Sequence, residues 1–169
     1  MKIKRSFLIV MMTMVVLAVK SQSVSVFFSD NGGKFINIRN APNGKVVDKV
    51  SVDSNGMMEV MSPVNGWWVI CGNSYEEPDK GEIKLKGGKK LYIHSSGIAF
   101  ATRNYGGQKL VLRSTPSSKG KVVYSFKEEI LLHPIDVKGD WVKVSTFDGK
   151  HTGWIETEWL CGNSVTNCC

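Results

Sequence analysis

"INIRNAPNGKVV", residues Ile36 to Val47, returns as "LVLRSTPSSKGKVV", residues Leu110 to Val123, seventy-four positions further along the chain. Ile36 and Ile38 alternate with Asn37 and Arg39, and Leu110 and Leu112 alternate with Val111 and Arg113. Apolar residues at period two place one face of a strand against a core. Pro42 and Pro116, each followed by small polar residues, fix φ in a turn and end that strand. Each stretch therefore reads as one strand and its turn, written once per structural unit.

The likeness extends outward in both directions. "DNGGKFINIRNAP" (Asp30 to Pro42) aligns without gaps to "NYGGQKLVLRSTP" (Asn104 to Pro116). "NGWWVIC" (Asn65 to Cys71) aligns to "KGDWVKV" (Lys138 to Val144), which pairs Trp68 with Trp141 and Cys71 with Val144. "LYIHSSGI" (Leu91 to Ile98) aligns to "GWIETEWL" (Gly153 to Leu160), and upstream "SVSVFFSDNGG" aligns to "GIAFATRNYGG". Blocks in the same order in both halves mark an internal duplication. The runs between them are β-branched and broken by short polar turns, among them the Asp148-Gly149 hairpin signal. No helical period follows the N-terminal segment, so the fold is expected to be all-β. Ile98 both ends the first copy and opens the second, which leaves no spacer and predicts a fixed mutual orientation with a crevice between the copies. The first copy also carries about eleven extra residues within "GNSYEEPDKGEIKLKGGKK", where alternation of Ile83 and Leu85 predicts a hairpin around Gly87-Gly88.

The 169-residue chain opens with Lys2, Lys4 and Arg5, then an apolar run from Phe7 to Ala18. That is the layout of a secretory signal, expected over residues 1–21 with cleavage after Ala18 or Ser21. Removing it takes four of the 22 basic residues and leaves 18 against 15 acidic ones, a net charge of +3. So slight an excess points away from nucleic acid. No later apolar run approaches the roughly 20 residues that a membrane helix needs. A secreted or periplasmic protein without stable membrane insertion is expected.

The order "[I/L]-x-[I/L]-R-x-x-P … G-K-V-V … G-x-W-x-x-V … G-W-I-x-x-x-x-L" resembles bacterial SH3-like domains, small partly open β-barrels of exported proteins. The resemblance implies two such barrels in tandem: residues 22–98 with the charged insert, residues 99–161, and a cysteine-containing tail at 162–169. The first copy departs from the pattern with Leu91-Tyr92 in place of Gly153-Trp154. Such a family implies a non-enzymatic binding role, with cell-wall peptidoglycan (peptide or glycan) or an exported protein as partner.

The residues themselves offer no catalytic apparatus: nucleophile elbow, phosphate-binding glycine loop and paired-carboxylate motif are all missing. Cys71, aligned with an inward strand position, reads as packing or as half of a disulfide rather than as a nucleophile. Cys161, Cys168 and Cys169 complete an even set, and closure of a terminal loop by Cys161 is expected. The Cys-x6-Cys-Cys spacing matches no zinc pattern, so neither metal nor cofactor is expected. Binding chemistry lies in the aromatics. Trp67 and Trp68 are adjacent on a predicted strand and point to opposite faces, so one is expected to be partly exposed. Trp141, Trp154 and Trp159, with Tyr105 beside the Gly106-Gly107 turn, give the second copy more aromatics than the first, which has Gly97 where Trp159 stands. The principal ligand site is therefore expected in the second copy, at Trp159, Trp154, Trp141, Tyr105 and Arg113, with Trp67 a candidate in the first. A different class of function, a protein–protein adaptor or inhibitor, would use the insert with Lys84, Lys86, Lys89 and Lys90 as its contact surface.

Overall fold

A computed structural model of the chain describes residues 22–29, 32–104 and 106–162. The first half holds β1 (Ser23–Phe28), β2 (Phe35–Arg39), β3 (Val46–Ser51), β4 (Met57–Val64), β5 (Trp67–Ile70), β6 (Ser74–Glu77), β7 (Gly81–Lys84) and β8 (Tyr92–His94). The second holds β9 (Ile98–Thr102), β10 (Leu110–Arg113), β11 (Val122–Phe126), β12 (Leu131–Lys138), β13 (Trp141–Thr146), β14 (Thr152–Glu156) and β15 (Leu160–Cys161). Short 3₁₀ turns at Ser95–Gly97 and Thr157–Trp159 follow β8 and β14. Among the described residues there is no α-helix, and no helix long and apolar enough to cross a membrane.

All pairings are antiparallel, and the sheet path runs β11-β10-β14-β13-β12-β9-β1-β4-β5-β8-β2-β3. Read from either end the order is the same, with β9 and β1 meeting in the middle through Phe27 opposite Ala99 and Phe28 opposite Ile98. The path ends at β3 and β11, so the sheet is not closed. β9 belongs to both halves. One side of it pairs β12, while its first residues pair β1 and its last pair β15.

The alternation in the two quoted stretches places Ile36 and Ile38, and Leu110 and Leu112, in one continuous core with Val26, Trp68, Phe100 and Leu132. Ile38 and Leu112 have no exposed surface. Immediately after each, the register with the next strand slips, between Ile38 and Arg39 in β2 and between Leu112 and Arg113 in β10. Such a bulge re-aims the following side chain. Arg39 Nη1 donates to Gly44 O at 2.6 Å and Arg113 Nη1 to Gly120 O at 2.9 Å, so each guanidinium braces its own turn.

Strand pairing corrects the tryptophan alignment by one residue. Trp67 lies opposite His94 and Trp141 opposite Glu156, each as the first residue after a two-residue turn. Trp67, not Trp68, is thus the counterpart of Trp141, and Trp68 takes the place of the buried Val142. The expectation that one ring of the Trp67-Trp68 pair is partly exposed also fails, since Trp67 is 8% and Trp68 0% exposed. Burial on both faces arises because β5 is a central strand, flanked by β4 and β8 and covered on either side. Cys71 follows the same shift. It leaves the strand for a 3₁₀ turn at Cys71–Asn73, where its thiol is free and half-buried. The expected pairing of Cys161 with Cys168 or Cys169 involves residues outside the described ones.

The insert does form a hairpin, but its turn lies at Pro78–Lys80 between β6 and β7, where Lys80 N donates to Glu77 O at 3.1 Å. Gly87 and Gly88 instead carry the returning chain over β3. Lys86 N donates to the Asp48 carboxylate at 2.8 Å, and a Cβ on Gly87 would stand 2.3 Å from Val47 Cβ. Glycine at 87 allows that close approach, and its φ of 111° suits no other residue.

Candidate functional site

Each half forms a crevice at the same place, bounded by the bulged strand (β2 or β10), the first tryptophan after the two-residue turn, and the 3₁₀ turn that follows β8 or β14. In the second half it has a volume of about 190 Å³ and brings together Arg113, Trp141, Glu156 and Trp159, with Lys109 and Val111 on the strand side. Trp159 packs partly against the core, and its indole Nε1 donates to Glu156 Oε2 at 3.4 Å. Of the expected residues, Arg113, Trp141 and Trp159 therefore meet. Trp154 stands opposite Arg113 in register but does not line the crevice. Trp67 lies in the other half, and Tyr105 lies outside the described residues.

The first-half crevice is larger, about 340 Å³. Gly97, itself buried, occupies the place of Trp159. Even a Cβ on Gly97 would come within 2.5 Å of Ile36 Cγ2, so the turn is seated directly on β2. Trp67 forms the wall. Its ring meets His94 edge-on at 4.9 Å between centroids, and the Arg39 guanidinium lies 5.6 Å from its centre on the cation–π side. Phe35, 58% exposed, stands at the rim beside Asn37.

His94 has a defined hydrogen-bond geometry. Its Nδ1 accepts from Ser96 N at 3.2 Å and lies 2.9 Å from Ser96 Oγ. An accepting Nδ1 places the hydrogen of the neutral ring on Nε2. Burial, and secondarily the charge of His133, push the His94 pKa below the ordinary histidine value. Beneath the crevice, Trp68 Nε1 donates to Ser95 Oγ at 3.2 Å, and Ser95 Oγ donates to Gly66 O at 2.9 Å. This relay ties the two-residue turn to the 3₁₀ turn.

Sequence reasoning passed over Phe35 and His94 as site residues and read Gly97 as the loss of an aromatic. The paired blocks did carry a signal, since they set Phe35 against Lys109 and His94 against Glu156. Elsewhere, Gln22 to Ser25 face Phe100, Val142 and Leu160 across a crevice of about 300 Å³ between the halves, with no charged lining. The Cys71 thiol is pushed up by burial and then by Glu59, which keeps it protonated rather than nucleophilic. Among the described residues no cluster of three or more His, Cys, Asp or Glu side chains is placed to hold a metal.

No curated protein matches this chain. Two solved structures, NlpC1 and NlpC2 from Trichomonas vaginalis, align at 11% and 10% identity with TM-scores of 0.32 and 0.31. The alignments cover 85% and 83% of this chain but 47% and 48% of theirs, so the chain spans about half their length. Residues 109–160, the segment holding Arg113, Trp141 and Trp159, match the family model of the bacterial SH3 domain.

Proposed function

We propose that the chain is an exported, non-enzymatic binding module of two SH3-like units in tandem, and that it recognises cell-wall peptidoglycan through the second-half crevice. The observation that carries this reading is the recurrence of one crevice, on one frame, in both halves, with the second copy inside the segment that matches the bacterial SH3 domain. A duplicated frame with differently lined crevices suits recognition, because the lining can diverge while the core residues Ile38 and Leu112 keep the frame. Trp159 and Trp141 supply flat apolar surface for a sugar ring or peptide side chain, and Arg113 supplies a donor for an acidic group.

Purified mature protein is sedimented with isolated cell-wall sacculi, beside the Trp159→Ala variant. Enrichment of the parent chain in the pellet and its loss in a folded Trp159→Ala variant are expected. No enrichment of the parent removes the wall-binding reading. The adaptor reading rests on the exposed lysines of the insert and requires that deletion of Glu76 to Gly88 abolish capture of a periplasmic partner.

A further inference from the structure

The two crevices share a frame, but the second places a carboxylate beside its cations and the first does not. At the position opposite the wall tryptophan the second half carries Glu156 and the first carries His94. Glu156 lies in the second crevice with Arg113 and Lys109, so its own carboxylate offsets part of their charge. No acidic side chain lines the first crevice, and no ion pair among the described residues engages Arg39. Arg39 spends one of the five guanidinium N–H donors on Gly44 O, which leaves the others for a ligand. A half-buried cation without a counter-charge attracts an anion more strongly than an exposed one, because less water screens the pair.

The remaining lining defines what else the anion must carry. His94 offers Nε2–H because its Nδ1 is occupied by Ser96. Phe35 exposes 58% of its surface at the rim, and the largely buried Trp67 backs the wall beneath the guanidinium. One guanidinium fork and one neutral imidazole donor suit a planar monoanion, whereas a phosphate dianion calls for more positive charge. The volume of about 340 Å³ lies at the small end of ligand pockets and fits a compact molecule.

We propose that the first-half crevice binds a small carboxylate with a compact apolar body: the carboxylate on Arg39 and His94 Nε2, the apolar part between Phe35 and Trp67. A peptide C-terminus has this chemistry with its side chain as the apolar body, and an acidic sugar has it with a C–H face of its ring. The inference goes beyond the wall-binding reading, since it concerns the other crevice and stands whether or not sacculi bind.

The test titrates the full mature chain with N-acetyl-alanyl-alanine, its C-terminal amide, and glucuronate, while nitrogen–proton NMR follows the tryptophan indoles, with Trp67 assigned from a Trp67→Phe sample. At least one of the two acids is expected to shift the Trp67 indole with saturation, and the amide is not. A response to the dipeptide identifies a peptide terminus as the source, and a response to glucuronate an acidic sugar. His94→Glu installs the residue that the second half already carries in this frame, and is expected to weaken binding about tenfold or more. Phe35→Ala, at an exposed position, is expected to weaken it about threefold or more. The proposal is overturned if neither acid moves the Trp67 indole, if the amide binds as well as the acid, or if His94→Glu or Phe35→Ala leaves the affinity unchanged.

Discussion

Ile38→Ala and Leu112→Ala test whether the two quoted stretches are the same strand in two places. Both side chains are fully buried, and both sit one residue before a register slip, so the two positions are equivalent in burial and in strand geometry. Each substitution removes three carbons from the core, worth about 0.8 kcal/mol apiece in transfer free energy, or roughly 2.4 kcal/mol. The cavity left in a close-packed interior adds to this, and a total of about 3–4 kcal/mol is expected for each. Set against the roughly 5–15 kcal/mol by which small proteins are stable, either loss is large. Urea unfolding followed by tryptophan fluorescence reads both halves at once, because Trp67 and Trp68 report on the first and Trp141, Trp154 and Trp159 on the second. Since the core is continuous, both variants are expected to move a single transition. A loss below about 1 kcal/mol at either position would refute the shared register.

Three further outcomes are expected. Gly153→Ala places a Cβ 2.8 Å from Leu112 Cβ and 3.0 Å from Arg113 O, and is expected to cost about 1–3 kcal/mol of overpacking in the same urea assay. Asp148 accepts from Thr146 Oγ1 at 2.6 Å and from Lys150 N at 3.1 Å, and its pKa is lowered to about 2. A depressed carboxyl stabilises the fold above its unfolded value and loses that contribution as the pH falls toward about 2, so Asp148→Asn is less stable near neutrality and the difference closes in acid. His94 is also depressed, but as a base: the unfolded chain binds the extra proton, so stability falls as the pH drops below the ordinary histidine value, and His94→Gln is expected to flatten that slope in thermal melts.

How far the sequence carried the fold depends on which physical signal each residue obeys. Ile36, Ile38, Leu110 and Leu112 were readable because a strand with one buried face must alternate, and their burial follows the pattern residue by residue. The tryptophans were misaligned because glycine was used as the anchor. Gly66 with φ 79° is the second residue of its turn and Gly139 with φ 56° the first, and glycine tolerates both places. The insert hairpin was misplaced for a related reason: Gly87 serves close passage over Val47, not chain reversal. At the site, Arg113, Trp141 and Trp159 could be found as repeated or aromatic residues. Phe35 looked like one more apolar strand residue, and its 58% exposure at the rim of a crevice is visible only in the packing.

β9 carries a consequence for how such a chain can be inherited. Its five residues pair with β1 through Ile98 and Ala99 and with β15 through Ala101 and Thr102, so the seam between the copies runs along a hydrogen-bonded strand rather than through a linker. A recombination break at Gly97 would strip Phe27 and Phe28, now 5% and 4% exposed, of the strand that covers them, and leave each product with a raw apolar edge. Either half expressed alone is therefore expected to need a new cap for that edge.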